Sequence, residues 1–168
     1  ELFSRLEKVA GAEENYSFHF IVIDNGSSDR TWQIIKERQK TDGRYTGIRM
    51  SRNFSLDSAF TCGLDRAEAD LAIIMTSDLQ DPPEVLIDFV LNWTPERKII
   101  AGVITKRQEG IIQRIIRKVF YWLLRLFSDG KIIVGFQDFY LIDKTIVDQL
   151  KHLSPEGLFL RGHISTRF

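Results

Sequence analysis

Asp78 and Gln80 are the residues of this chain best suited by type and spacing to chemistry. They lie in Leu71–Glu84, which reads Leu-Ala-Ile-Ile-Met-Thr-Ser-Asp-Leu-Gln-Asp-Pro-Pro-Glu. A carboxylate beside an amide oxygen is a hard-oxygen pair suited to Mg²⁺ or Mn²⁺, with positions left for water and a diphosphate. Two residues apart in an extended segment, their side chains point to the same side. The other reading is a polar strand-to-helix loop that caps its helix, and spacing alone does not separate the two.

A second polar cluster, Asp24-Asn25-Gly26-Ser27-Ser28-Asp29, follows another apolar run. Asp24 and Asn25 can hydrogen-bond a base or ribose, and a helix N-terminus just beyond suits an anion. An Asx-rich turn with no ligand fits the same residues. Arg52 falls beyond a third apolar run, where it can meet phosphate. Asp138, in Gly135-Phe-Gln-Asp-Phe-Tyr-Leu-Ile142, reads equally as a general base and as a turn residue. Neither GxGxxG nor GxxxxGK[ST] occurs, which removes the dinucleotide fingerprint and the P-loop.

The elements that position these residues alternate. Leu2, Phe3, Leu6 and Val9 recur at helical spacing, with Gly11 ending the helix. Phe18–Ile23 reads as a buried strand, and the lone His19 in it as structural. Gly26 permits the turn, and Ser28 or Asp29 caps a helix over Arg30–Lys40. Thr46–Met50 is a short strand and Leu56–Ala67 a helix. The apolar start of Leu71–Glu84 reads as a central strand buried on both faces. Pro82 and Pro83 stop it, and a helix over Val85–Trp93 follows. Ile99–Thr105 is a strand, and Asp143 caps a helix over Lys144–Leu150. Short connections and strand–helix alternation predict an α/β domain whose parallel-rich sheet is covered on both faces.

The segment Ile111–Phe127 differs in character. Arg114, Arg117, Lys118 and Arg125 edge a broad apolar face that includes Phe120, Trp122 and Leu123. That is the pattern of a helix lying in a membrane interface, its cations favouring anionic headgroups or a lipid phosphate. A core helix with solvated arginines is the alternative.

The 168 residues suffice for one domain with a core, and 43% hydrophobic with 27% charged residues is a globular composition. Lys+Arg 23 balances Asp+Glu 23, which argues against a general nucleic-acid binder. Cys62 is the only cysteine, so a disulfide framework and a cysteine metal site are excluded; a packed thiol is expected. No signal peptide is evident, and no apolar run approaches the ~20 residues of a membrane span. The chain opens on Glu1, in what reads as mid-helix, as a fragment of a longer membrane-associated chain would.

Taken together, Ile23-Asp-Asn-Gly-Ser-Ser-Asp29, Ser51-Arg-Asn-Phe54 with Gly63-Leu-Asp65, and Asp78-Leu-Gln-Asp-Pro-Pro-Glu84 resemble the glycosyltransferase family 2 catalytic domain. The branch they resemble most is the polyprenyl-phosphate glycosyltransferases, such as dolichyl-phosphate mannose synthase. Lys106-Arg107, Phe120-Tyr121, Gln137-Asp-Phe139 and Phe159-Leu-Arg-Gly162 match more weakly, so the likeness spans nearly the whole chain, and residues 1–168 read as a single catalytic domain. Asp-Leu-Gln-Asp-Pro-Pro-Glu is its specific part.

The resemblance implies the GT-A (Rossmann-like) fold, mostly parallel, with helices on both sides. It also implies a nucleotide-sugar donor, Mg²⁺ or Mn²⁺ on Asp78 and Gln80, and inversion at the anomeric carbon. The implied acceptor is a polyprenyl (undecaprenyl or dolichyl) phosphate at the cytoplasmic face of the cell membrane. A phosphate monoester has a second pKa of roughly 6 and is nucleophilic near neutrality, so it needs aim more than deprotonation. That gives Arg107, Arg114, Arg117 and Arg161 a task as cations, and leaves Asp138 to orient the acceptor. Asp24, Asn25 and Arg52 would serve the nucleotide. A homo-oligomer is left open.

The departures are specific. The family's first strand, ending in a Pro-x-Tyr-Asn-Glu-like segment, is missing here. Thr76 stands where the first Asp of Asp-x-Asp is usual, Asn25 where a second Asp is usual, Ser55 for a common glycine and Tyr140 for a common arginine. Two other readings follow. One is a family 2 enzyme acting on a polysaccharide hydroxyl, which would need Asp138 as base and not the basic helix. The other is a non-enzymatic relative that binds a nucleotide-sugar or a protein, motivated by Thr76 and Asn25.

Overall fold

The computed structural model describes residues 1–103 and 136–152. In chain order these form α1 (Leu2–Ala12), β1 (Phe20–Asp24), α2 (Thr31–Thr41), β2 (Tyr45–Arg49), α3 (Leu56–Leu64), β3 (Leu71–Ile74), α4 (Val85–Asn92), β4 (Ile99–Val103), β5 (Phe136–Asp143) and α5 (Lys144–Lys151). The alternation expected of an α/β domain is present. The pairing is mixed: β1 and β2 run parallel, whereas β5 lies antiparallel between β3 and β4.

One expectation is corrected by that arrangement. Leu71–Ile74 was expected to be central and buried on both faces. It flanks β5 instead, and of its four residues only Ile74 is fully buried. The strand closed off on both faces is β5, with Tyr140, Leu141 and Ile142 all 0% exposed. Period-two alternation sends Tyr140 and Ile142 to one face, where Leu64 of α3 and Ile146, Val147 and Leu150 of α5 cover them. Phe139 and Leu141 go to the other face, under Leu6 and Val9 of α1 and Leu86, Phe89 and Val90 of α4. The Phe89 and Phe139 rings meet at 4.7 Å.

Short-range chemistry fixes the element ends. Ser55 caps α3, accepting from the Ser58 N–H, so the residue standing for a common glycine has a local task. Asp143 caps α5, accepting from the Thr145 N–H at 2.8 Å; hydrogen bonding from the Thr145 side chain, and then from that N–H, holds its carboxyl below the usual range. Asp29 accepts from the Thr31 N–H at the start of α2. Gly11 does not end α1, which runs on to Ala12. α3 stops at Leu64, short of Ala67. His19 is structural, its Nε2 2.9 Å from the Thr46 hydroxyl. Cys62 is a free, half-buried thiol. Residues 111–127 lie outside the described residues.

Two predictions follow from the contacts between elements. Arg5 of α1 donates a two-pronged pair of hydrogen bonds to Glu84 at the head of α4. The hydrogen bond from Arg5 takes the Glu84 carboxyl down from 4.5 to about 2. A depressed carboxyl contributes stability that is complete above its unfolded value and is lost as pH falls through its folded value. The melting-temperature gap between wild type and Arg5→Ala should therefore be constant above about pH 5 and narrow toward about pH 3. A gap independent of pH would show that the pair contributes nothing. The second concerns Gly26, at φ 79°, where an added Cβ would sit 2.5 Å from the Arg52 carbonyl carbon and 2.6 Å from the Asn53 nitrogen. Gly26→Ala meets backbone on one side and left-handed strain on the other, so it should cost at least about 1–3 kcal/mol in chemical denaturation.

Candidate functional site

The sheet's register brings the predicted carboxylates together. β3 pairs with β5 through Leu71↔Asp143, Ala72↔Ile142, Ile73↔Leu141 and Ile74↔Tyr140. Continued by two residues, that register sets Asp138 opposite Thr76. Asp138 belongs to a strand, which removes the turn reading, and its charge acts on Asp81 in the loop after β3. Electrostatics agree with that placement. Asp81 is buried, and its carboxyl is pushed up first by burial and then by the charges of Asp78 and Asp138. The sequence reading did not single out Asp81 for a role, although its place between Gln80 and two prolines marked it as part of the same loop.

The loop itself is not extended. Leu79 sits at φ 61°, the only non-glycine among the described residues with positive φ. Asp78 Oδ1 accepts from the Gln80 N–H at 3.2 Å and from the Thr76 hydroxyl at 2.8 Å. The expectation that Asp78 and Gln80 share one side of an extended segment is thereby corrected: the carboxylate folds back on the loop's own N–H, as Asp does in tight turns. A left-handed leucine is uncommon, and such positions gather at functional loops. The capping alternative finds no support, since Glu84, at the N-cap of α4, makes no side-chain cap bond.

As a metal site the loop offers hard oxygens: the Asp78 carboxylate, the Gln80 amide and the neutral Thr76 hydroxyl. No group of three His, Cys, Asp or Glu able to hold a metal occurs among the described residues. Such a donor set fits a cation held by one or two carboxylates and completed by ligand phosphates, and it does not form a closed protein cage.

At the C-terminal ends of β1 and β2, two loops are bound to each other. Asp24 is only 1% exposed; its Oδ1 accepts from the Ser27 N–H at 2.8 Å and its Oδ2 lies 3.3 Å from Arg49 Nε. Asp24 thus shapes the turn from inside. Asn25 reaches across to the loop after β2, bonding the Asn53 side chain and both main-chain polar groups of Phe54. Arg52 is exposed, and its guanidinium lies 4.1 Å from the centre of the Phe54 ring. Arg107, Arg114, Arg117 and Arg161 fall outside the described residues.

Comparison with known proteins agrees with this architecture. The profile of the family described as Glycosyl transferase family 2 matches residues 4–149. The chain is 34% identical over 167 residues to an uncharacterized glycosyltransferase of Bacillus subtilis, YkcC, covering 98% of this chain and 51% of that protein. It is 30% identical over 151 residues to the bactoprenol glucosyl transferase of Shigella phage SfV, covering 89% of this chain and 49% of that one. A prophage bactoprenol glucosyl transferase homolog of Escherichia coli is 29% identical over 153 residues, covering 90% and 50%. The chain thus spans about half the length of the curated relatives it matches. A strand-end acidic loop set against a buried antiparallel strand, and a family profile running from the first helix to the last, lead to one conclusion: the chain belongs to glycosyltransferase family 2.

Proposed function

We propose that the protein containing this chain transfers a sugar, with inversion, from a nucleotide-sugar to a polyprenyl phosphate at the cytoplasmic face of the cell membrane. The observation that carries this reading is the strand register that sets Asp138 beside the Asp78–Asp81 loop. The relatives named bactoprenol glucosyl transferases support the lipid acceptor. Asp78 and Gln80 would hold Mg²⁺ or Mn²⁺, which when bound stabilises charge on the departing diphosphate. The 24–29 turn and Arg52 would form the nucleotide end. A phosphate acceptor brings its own nucleophile, so Asp138 would orient it. Arg107, Arg114, Arg117 and Arg161 would supply cations, and the Ile111–Phe127 segment a surface for the membrane. Among the described residues no helix is long and apolar enough to cross a membrane. The reading with a polysaccharide hydroxyl acceptor would make Asp138 the base, and its position beside the acidic loop serves either acceptor.

The metal reading is tested on the full-length protein by titration calorimetry of Mn²⁺, with and without nucleoside diphosphate. Because Asp78 supplies one charge and Thr76 none, little Mn²⁺ should bind alone. With the diphosphate present, each ligand should tighten the other by the same factor, about tenfold or more. Asp78→Asn should abolish that coupling. Tight binding without nucleotide, or coupling that survives Asp78→Asn, would move the metal elsewhere.

The membrane reading is tested by co-sedimenting residues 1–168 with liposomes. Binding should require anionic lipid and weaken as salt rises, because phosphate-directed cations are screened within about 10 Å at 0.1 M salt. Failure to sediment with either neutral or anionic vesicles would sink the surface role of residues 111–127.

A further inference from the structure

We propose that Asn25 is a positioning residue: its carboxamide latches the loop after β2 to the turn after β1 and so holds Arg52 at the nucleotide end of the site. The inference rests on the nucleotide-sugar reading above and reassigns Asn25, which the sequence offered as a contact to the nucleoside.

Asn25 Oδ1 accepts from the Phe54 N–H at 2.9 Å, and Nδ2 donates to the Phe54 carbonyl at 2.8 Å. The side chain thereby pairs with both main-chain polar groups of one residue, as a neighbouring antiparallel strand would. Nδ2 donates also to Asn53 Oδ1 at 3.1 Å. A carboxamide has two N–H donors, and both are spent inside the protein. What remains is acceptor capacity on Oδ1, too little for the paired donor and acceptor reading that a base edge invites. The contact is reinforced beside it: the Met50 N–H donates to the Asp24 carbonyl at 2.9 Å, and Gly26 lies against the Arg52 and Asn53 backbone.

The path from Asn25 to Arg52 is short. Fixing the Phe54 peptide fixes where its ring emerges, and the Arg52 guanidinium stacks on that ring. Arg52 is exposed, with a long flexible stem, so an immobile ring beneath it removes rotamer freedom before any anion arrives. The amide is needed for this. A carboxylate of the same shape would still accept from the Phe54 N–H, but it would set an anion against the Phe54 carbonyl and lose both donors. The Asp usual at this position in the family therefore cannot make the same latch.

The test uses the full-length protein as wild type, Asn25→Asp, Arg52→Ala and the double variant. Binding of UDP, GDP and ADP is measured by calorimetry with Mn²⁺, and trypsin cleavage after Arg52 is followed by mass spectrometry. Asn25→Asp should weaken every diphosphate that binds by one common factor, about tenfold. Arg52→Ala should weaken them too, and the double variant should be no more than about twofold worse than Arg52→Ala, because both changes remove one function. Trypsin should cut Asn25→Asp faster after Arg52. An altered order of preference among the bases would make Asn25 a base reader and overturn the proposal, as would independent, multiplying effects or unchanged cleavage. If wild type binds no diphosphate, the nucleotide-sugar reading fails while the cleavage rates still decide the latch. If Asn25→Asp does not fold, Asn53→Ala, which removes one of the three bonds, should shift binding and cleavage less but in the same direction; no shift overturns the latch.

Discussion

Four consecutive residues of β5, Phe139 to Ile142, are withdrawn from water, and the placing of four of the five described helices follows from covering them. A strand alternates its side chains, so burying it on both faces demands two separate apolar layers. α3 and α5 supply one layer, α1 and α4 the other. Each large aliphatic side chain buried this way contributes about 1.5–3 kcal/mol relative to exposure, so a slip of the strand by one residue would forfeit several such terms at once. The register is therefore held strongly, and Asp138 stands where it does because the residues after it are fixed.

That dependence explains what the sequence could and could not disclose. Local features were legible. Asp143 read as a cap and is one, whereas the Ser55 cap was not foreseen; Gly26 read as the turn's glycine and holds the positive φ that only glycine adopts without strain. Strand–helix alternation was legible as well, because it rests on periodicity within short windows. The rank of β3 was not. Leu71–Ile74 and Phe139–Ile142 are both short apolar runs, and which of them is central depends on partners distant in the chain. Nor was the antiparallel sense of β5, since its partners β3 and β4 both lie far back in the chain.

At the site, side-chain types were legible and their partners were not. Asn25 and Asp78 read as groups facing a ligand because their oxygens and nitrogens had no visible sequence partner. The structure gives Asn25 a peptide 29 residues away and gives Asp78 a hydroxyl and an N–H within two residues. Only the second kind of partner lies within reach of a sequence argument, and the left-handed Leu79 that permits it was unforeseen because leucine gives no sign of positive φ.

Thr76 draws these strands of argument together. In the continued register it faces Asp138, and its hydroxyl donates to Asp78. The loop already holds Asp78 and Asp81 near Asp138, and burial, with the charges of Asp78 and Asp138 added to it, pushes the Asp81 carboxyl up. A carboxylate at position 76 would add a further negative charge to that cluster. A hydroxyl does two things a carboxylate cannot: it adds no charge, and it donates a hydrogen bond that orients Asp78. The departure from the family's Asp-x-Asp pattern is thus consistent with the rest of the loop. Repulsion among fewer carboxylates is less costly, and on the proposed metal reading a bound diphosphate would complete the negative charge a divalent cation requires.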